Sequence, residues 1–189
     1  MLHLTAAALE DGLEEVRNSP ADEGRVELIV RRPAENERDV VGRATLDAVR
    51  GLDGDTWLLR AGGRVEEGSA HAGRQLTLMN ARAASLVAGD PARRALAGDQ
   101  LYVDFDLSEA NLPASTRLQV GTAVIEVTDK PHLGCKKFAA RFGQDALRFV
   151  NSPTGRALRL RGLNARIVVP GTVATGDVVR KLPAPSPSI

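Results

Sequence analysis

The sequence feature that most constrains the fold is a slip in the alternation of apolar residues at Gly121-Thr122. The apolar positions are Leu118 and Val120 before the slip, and Ala123, Ile125 and Val127 after it. Because successive side chains of a strand point to opposite faces, such a slip indicates a tight turn or a bulge. The pattern therefore predicts two short strand segments on either side of Gly121.

Further short strands, separated by turns, are predicted along most of the chain. Their ranges are 25–32, 40–49 with an irregularity near Gly42, 75–79, 101–105, 165–169 and 178–179. Residues 101–105 alternate between apolar and polar side chains, which predicts a half-buried strand. Short strands outnumber the few helices, and this favours a mainly β, barrel-like fold with short peripheral α-helices over a doubly wound parallel sheet.

The predicted helices are short and inserted singly between strands. They lie from Thr5 to about Arg17, after the capping residues Asn80 and Asp90, at 135–142, and at 145–150, while residues 151–155 are predicted as a turn. We expect an N-terminal helical extension at 1–24, a barrel domain at 25–180 and a flexible Pro/Ser-rich tail at 181–189.

Composition narrows the classes of function. Lys and Arg number 25 against 24 Asp and Glu, and aromatic residues make up 3% of the chain, which argues against nucleic-acid binding. The single cysteine excludes an intrachain disulfide or a multi-cysteine metal cage. No apolar run approaches the ~20 residues that span a bilayer, and the N-terminus lacks the pattern of a signal peptide. We therefore expect a cytoplasmic protein without a membrane partner, in an oligomeric state that the sequence leaves open.

Two connections contain polar residues that are candidates for a site. The turn at 51–57 contains Asp53 and Asp55, which either bond their own backbone or face a pocket or a cation. Residues 60–73 show no periodicity, so they are predicted to form a mobile loop that contains His71.

The best candidate site is the stretch from Lys130 to Phe138, which contains the only cysteine. Cys135 and three later apolar residues have helical spacing, which places Cys135 in the first turn of a helix that Gly143 closes; those residues are Phe138, Ala139 and Phe142. A helix N-terminus and neighbouring cations stabilise a thiolate, and Lys136, Lys137 and His132 supply candidates. The alternative is that Cys135 is a small buried apolar residue.

The order of these features resembles the MOSC domain family, which is named for the C-terminal domain of molybdenum-cofactor sulfurases. The likeness rests on the turn at 51–55, the segment 104–113, the hairpin at 121–128 and the cysteine after it, and it covers roughly residues 25 to 180. The helical segment at 138–143 is similar to that of small stand-alone bacterial members. The resemblance implies a barrel of the MOSC or pyruvate-kinase-barrel type.

The resemblance also implies a set of site residues. Cys135 would be the catalytic residue and, through its sulfur, a ligand to molybdenum, and the acidic turn would contribute Asp53 and Asp55 to cofactor binding. The remaining candidates for binding the molybdenum cofactor (molybdopterin) are His132, Lys136, Arg141 and Arg166. Fuller members commonly carry a His-containing segment after the acidic turn, where this chain has only His71.

The function that the resemblance implies is a molybdenum-cofactor-associated sulfur carrier or a molybdopterin-binding protein that uses one cysteine. The residues leave open whether the chain is an enzyme, either a sulfurtransferase or a component of a molybdenum-dependent oxidoreductase. Some larger relatives add a pyridoxal-phosphate desulfurase domain, which this sequence does not resemble, so we expect a separate sulfur-donor protein. The alternative is a non-catalytic module on the same barrel that binds a small anion or a protein.

Overall fold

The computed structural model describes residues 3–60 and 71–183 of the chain. The strands in these ranges are β1 (Glu23–Arg31), β2 (Asp39–Val41), β3 (Arg43–Asp47), β4 (Gly51–Leu52), β5 (Leu76–Asn80), β6 (Leu101–Asp104), β7 (Arg117–Val120), β8 (Ala123–Val127), β9 (Leu163–Val169), β10 (Gly171–Ala174) and β11 (Val178–Lys181). The α-helices are α1 (Ala6–Asp11), α2 (Leu13–Arg17), α3 (Trp57–Arg60), α4 (Ala81–Ala88), α5 (Lys136–Asn151) and α6 (Pro153–Ala157). Short 3₁₀ helices span Ala72–Arg74 and Pro91–Ala97.

Seven strands close into a mixed β-barrel, which confirms the predicted mainly β, barrel-like fold. Their order is β1-β6-β5-β9-β8-β7-β11, and β11 pairs with β1 to close the barrel. The β5–β6 pair is parallel, whereas the other neighbours in the barrel are antiparallel. Strand β2 pairs with the far end of β1, and a separate three-stranded sheet has the order β10-β3-β4.

The slip in alternation at Gly121 is confirmed as a tight hairpin between β7 and β8. Val120 pairs with Ala123, so Gly121 and Thr122 alone form the turn. Leu118, Val120, Ala123 and two later apolar residues all face the barrel interior. The irregularity near Gly42 is also confirmed, because the chain leaves β2 there and enters β3 in the other sheet.

The apolar residues form two layers on either side of the barrel wall. Leu101 and Val103 belong to the barrel interior, whereas Tyr102 between them belongs to the layer that helices cover. The prediction of a half-buried strand at 101–105 is therefore wrong at Tyr102, which is fully buried, whereas Asp104 on the same face is half-buried. Helix α5 contributes Phe138 and Phe142 to the outer layer, and this packing fixes the start of α5 against the barrel.

The helical predictions hold in part. Thr5 caps the first helix by accepting a bond from the Ala8 amide at 3.3 Å, but Gly12 divides the predicted single helix into α1 and α2. A β-carbon at Gly12 would lie 2.3 Å from the end of the Leu86 side chain, so a larger residue there would make Leu86 on α4 move. The turn predicted at 151–155 is wrong, because Ser152 caps α6, which begins at Pro153. Gly143 interrupts α5 with non-helical dihedral angles, as expected.

Parts of three predicted segments lie outside the described residues. These are 1–2 of the predicted N-terminal extension, 61–70 of the predicted loop and 184–189 of the predicted tail. In the described ranges, no helix combines the length and the apolar character needed to cross a membrane.

Candidate functional site

A cleft of about 650 Å³ opens beside Cys135, and six of its fifteen described lining residues are cationic. Its positively charged lining residues among those described are Arg32, Arg38, Arg60, Lys137, Arg141 and Arg161. Glu35 is the one acidic lining residue in the described part of the chain. The charge of this cleft suits a ligand that carries negative charge.

Cys135 is exposed at this cleft, so the alternative of a buried apolar cysteine is wrong. The residue has extended backbone angles and is the N-cap of α5, one position before the first helical residue. Asn151 clamps the preceding residue, since its amide oxygen accepts from the Gly134 amide at 2.9 Å and its amide nitrogen donates to the Gly134 carbonyl at 3.1 Å. The thiol therefore sits on a fixed loop at a helix start.

Three successive carbonyls of the segment 96–98 each accept a hydrogen bond from a different arginine of the cleft. The pairs are Arg141 Nη1 with the Leu96 oxygen (2.7 Å), Arg161 Nη2 with the Ala97 oxygen (3.0 Å) and Arg32 Nη1 with the Gly98 oxygen (3.0 Å). Backbone carbonyls orient a guanidinium without neutralising its charge. The segment thus holds three arginines around one surface: one directly after β1, one on α5 and one just before β9.

Arg38 and Arg141 keep their charges available to a ligand. Within the described ranges, both bond only to carbonyl or amide oxygens, and the buried Nε of Arg38 has no partner. Burial, together with the positive charges of Arg141 and Arg32, lowers the pKa of Arg38. A β-carbon at Gly98 would lie 3.2 Å from Arg38 Nη2 and 3.5 Å from Arg141 Nη1. Glycine therefore leaves open a space between the two guanidinium groups, which we call the Gly98 seat.

The two aspartates of the acidic turn occupy different environments. The Asp55 carboxylate is fully buried and forms a forked pair with Arg32, with Nε to Oδ2 at 2.7 Å and Nη2 to Oδ1 at 2.9 Å. Asp55 also accepts from the Arg32 and Trp57 amides, so it uses both alternatives considered for this turn: local backbone bonds and a cation. Asp53 is exposed and does not line the cleft. The cofactor-binding roles of both residues stay predictions.

His132 faces a second cleft, of about 420 Å³, on the other side of Arg161. Its Nε2 lies 2.6 Å from Oδ1 of the fully buried Asp99, whose Oδ2 accepts from Arg161 Nη1. Burial acts to raise the pKa of Asp99, but Arg161 and His132 outweigh burial and hold that pKa well below its usual range. Burial and the charge of Arg161 lower the pKa of His132, against the opposing effect of Asp99.

The other predicted cofactor-binding residues are divided between the cleft and the surface around it. Arg141 lines the cleft. Lys136 is exposed next to Cys135 but does not line the cleft. Arg166 lies outside the cleft on β9, where it pairs with Glu126 at 2.7 Å. The roles predicted for these residues, and for His132, stay predictions. Among the described residues, no group of three or more His, Cys, Asp or Glu side chains could hold a metal.

Most of the cationic lining was missed from the sequence. Arg32 directly follows β1, Arg38 lies in an irregular connection, Arg60 ends α3, and Arg161 precedes β9. No motif joins these positions, because their convergence depends on barrel closure and on the carbonyls of 96–98. The sequence carries no signal for this convergence, because the burial of the charged residues Asp99 and Arg161 is evident only in the folded chain.

A closed mixed barrel with an exposed thiol at a cationic cleft defines a β-barrel protein with a candidate anion site. The family model for the MOSC domain matches residues 73–180, more than half of the 189-residue chain. The chain therefore belongs to the MOSC domain family, a family associated with molybdenum-cofactor-related proteins. The resemblance seen in the sequence is confirmed.

Solved structures agree with this fold. YiiM from Escherichia coli is 22% identical with a TM-score of 0.54, and the match covers 86% of this chain and 71% of that one. YuaD from Bacillus subtilis is 18% identical with a TM-score of 0.54, over 83% of this chain and 94% of that one. Likenesses at this level of identity show the fold alone. No curated protein matches the chain.

Proposed function

We propose that the cleft binds the anionic pterin of a molybdenum cofactor and that the Cys135 thiol acts on sulfur or metal beside it. The protein would then be a molybdenum-cofactor-associated sulfur carrier or molybdopterin-binding protein. One observation carries the proposal: an exposed thiol shares a cleft with Arg38 and Arg141, whose charges no carboxylate among the described residues contacts. Uncompensated, partly buried guanidinium groups favour an anionic ligand.

The residues present fit such a group. The phosphate of molybdopterin is a forked acceptor that matches the planar donors of arginine. Over the open α-carbon of Gly98 a ligand oxygen could receive bonds from both Arg38 and Arg141, because both guanidinium groups lie beside the side of Gly98 on which a β-carbon would project. Lys137 and Arg60 add positive charge to the lining. Bound cofactor would supply molybdenum and its redox chemistry, and a cysteine thiolate is a soft ligand that suits such a metal.

In the sulfur-carrier form of the proposal, Cys135 exchanges sulfur with a donor protein. The Cys135 thiolate attacks the outer sulfur of a persulfide on the donor. The sulfur–sulfur bond of the donor breaks, the donor leaves as a thiolate, and Cys135 holds the transferred sulfur as a persulfide. The exposure of Cys135 supports this step, since a thiol must be accessible to a partner of protein size.

The test is to purify the full chain from cells that make molybdenum cofactor and to measure its molybdenum and pterin content. We expect both to co-purify with the native chain and to be lost from the Arg38→Gln/Arg141→Gln double variant. The matched control is Arg180→Gln, because Arg180 is an exposed arginine paired with Glu23 away from the cleft. Cys135→Ala should retain pterin but lose either molybdenum or the persulfide that forms when a low-molecular-weight persulfide transfers its outer sulfur to the thiolate and leaves as a thiolate.

Three outcomes separate the alternatives. Absence of molybdenum and pterin, together with no persulfide on Cys135, would overturn the proposal. Binding of pyrophosphate that depends on Arg38 and Arg141, with no cofactor and no effect of Cys135→Ala, would instead identify a non-catalytic anion-binding module. Equal loss of cofactor in Arg180→Gln would show that the arginines act only on overall charge.

A further inference from the structure

In the loop from Lys130 to Gly134, which leads into Cys135, His132 is the described residue whose side chain hydrogen-bonds to the barrel wall. The ring Nε2 of His132 lies 2.6 Å from the buried Asp99 carboxylate. Because a carboxylate can only accept, Nε2 carries the proton and donates it. The other described contacts that hold this loop act on its backbone: Asn164 donates to the Lys130 and Pro131 carbonyls, and Asn151 clamps Gly134.

Asp99 is itself fixed, which makes it a firm anchor. Its side chain is fully buried, and its second oxygen accepts from Arg161. Arg161 also donates to the Ala97 carbonyl, and its guanidinium lies 5.2 Å from the ring centre of Phe138. Phe138 is buried in the first turn of α5. Contacts that begin at Asp99 therefore reach the chain three residues before Cys135 and three residues after it.

We infer that His132, anchored by Asp99, is a positioning residue that keeps the Cys135 thiol at the cationic cleft. His132 does not line that cleft, so it acts through the loop rather than by touching a ligand there. The inference rests on the proposed function only in taking Cys135 as the reacting group. Without the His132 contact the loop would keep its backbone clamps but lose the side chain that fixes its position over the wall.

The single cysteine makes the test specific, because a thiol reagent can react only with Cys135. The full chain is treated with two disulfide reagents, dithiobis(nitrobenzoate), which carries two negative charges, and dithiodipyridine, which is neutral. The measured quantity is the ratio of the two reaction rates, divided by the same ratio for N-acetylcysteine amide. A thiol beside the cleft should give a normalised ratio above one, since the cations attract the charged reagent.

Three variants of His132 isolate its hydrogen bond. We expect His132→Leu, which has no donor, to lower the normalised ratio by about threefold or more. His132→Asn, whose amide is too short to reach Asp99, should lower it similarly and provides a second test if the leucine variant does not fold. His132→Gln carries an amide nitrogen near the position of Nε2 and should keep the native ratio. All variants are compared only where thermal unfolding is cooperative.

The outcomes distinguish this inference from the proposed function. A native ratio above one that stays unchanged in folded His132→Leu and His132→Asn would overturn the positioning role and leave the cationic cleft standing. A fall in His132→Gln equal to that in His132→Leu would also overturn it, because the donated bond would then be irrelevant. A native ratio of one would contradict both ideas, whereas failure to bind molybdenum cofactor would leave the ratios, and this inference, intact.

Discussion

Arg32 and Asp55 form a forked ion pair beside the cleft, in which the aspartate is completely shielded from solvent. The Arg32 side chain is 12% exposed and the Asp55 side chain is 0% exposed. Arg32 lines the cleft and also donates to the Gly98 carbonyl, so the pair connects the acidic turn to the segment that orients the cleft arginines. Asp55 therefore stabilises the cleft by holding the Arg32 side chain in place.

Removing one partner of this pair should be strongly destabilising. Asp55→Asn leaves the Arg32 charge buried without its counter-ion, so we expect a loss of about 3 kcal/mol in the free energy of unfolding. Urea denaturation measures this loss. The matched control is Asp53→Asn in the same turn, which should leave stability unchanged because Asp53 is exposed. Equal effects of the two substitutions would contradict the structural role of Asp55.

Glu35 should weaken anion binding by partly neutralising the rim of the cleft. Its Oε1 accepts from Lys137 Nζ at 2.5 Å, and this bond lowers the pKa of Glu35, so the carboxylate is charged at neutral pH. Glu35→Gln should tighten pyrophosphate binding by about twofold at low salt, and high salt should remove the difference because both side chains are exposed. Calorimetric titration measures the affinity. Glu23→Gln, outside the cleft, is the control, and an effect that persists in high salt would argue against a through-solvent charge effect.

The sequence pattern predicted the barrel fold, but it did not predict which residues line the cleft. The slip at Gly121 predicted a tight turn or a bulge, and the pattern near Gly42 predicted an irregularity within a strand, because local alternation determines which face each side chain takes. The change of sheet at Gly42 was not predicted. The full burial of Tyr102 was missed, since alternation does not show whether a helix covers the outer face of a strand. Tertiary packing decides that question.

In the candidate site, too, local features could be predicted from the sequence and long-range contacts could not. Cys135 could be singled out because a lone thiol among cations at a helix start is a local pattern. The anchoring of Arg141 by the Leu96 carbonyl could not be predicted, because it pairs residues 45 positions apart through a backbone atom. Asp99 and Arg161, 62 positions apart, illustrate the same limit. Side chains that meet only after closure of the barrel leave no periodic signal.

The free energy of unfolding should fall when the pH is lowered from neutral to mildly acidic values, because of His132. Its pKa is lowered by burial, so below the ordinary histidine pKa of about 6.5 the unfolded chain takes up a proton that the folded chain does not. The contribution of neutral, buried His132 to the free energy of unfolding is thus complete above the ordinary histidine pKa and is lost as the pH falls below it. The lowered pKa of Asp99 acts in a separate range, below the ordinary aspartate value of about 4.

The predicted direction of this pH dependence can be measured directly. The free energy of unfolding in urea should be lower at about pH 5.5 than at about pH 7.5, and His132→Gln should reduce the difference. His3→Gln is the control, because His3 is exposed at the N-terminal end of the described chain. A pH dependence that is the same in His132→Gln as in the native chain would contradict the prediction.

Filling the Gly98 seat should weaken anion binding, whereas backbone strain alone should not. Gly98 has φ of +94°, so Gly98→Ala combines a strain cost of about 1 kcal/mol with a β-carbon placed 3.2 Å from Arg38 Nη2. Gly89→Ala is a matched control: Gly89 has φ of +65°, but its β-carbon would meet only Leu4, at 3.9 Å.

Both variants should therefore unfold at lower urea concentration than the native chain. Only Gly98→Ala should weaken pyrophosphate binding, by about tenfold or more, because it alone blocks the space between the two guanidinium groups. Equal binding by the two variants in calorimetric titration would place the anion elsewhere in the cleft.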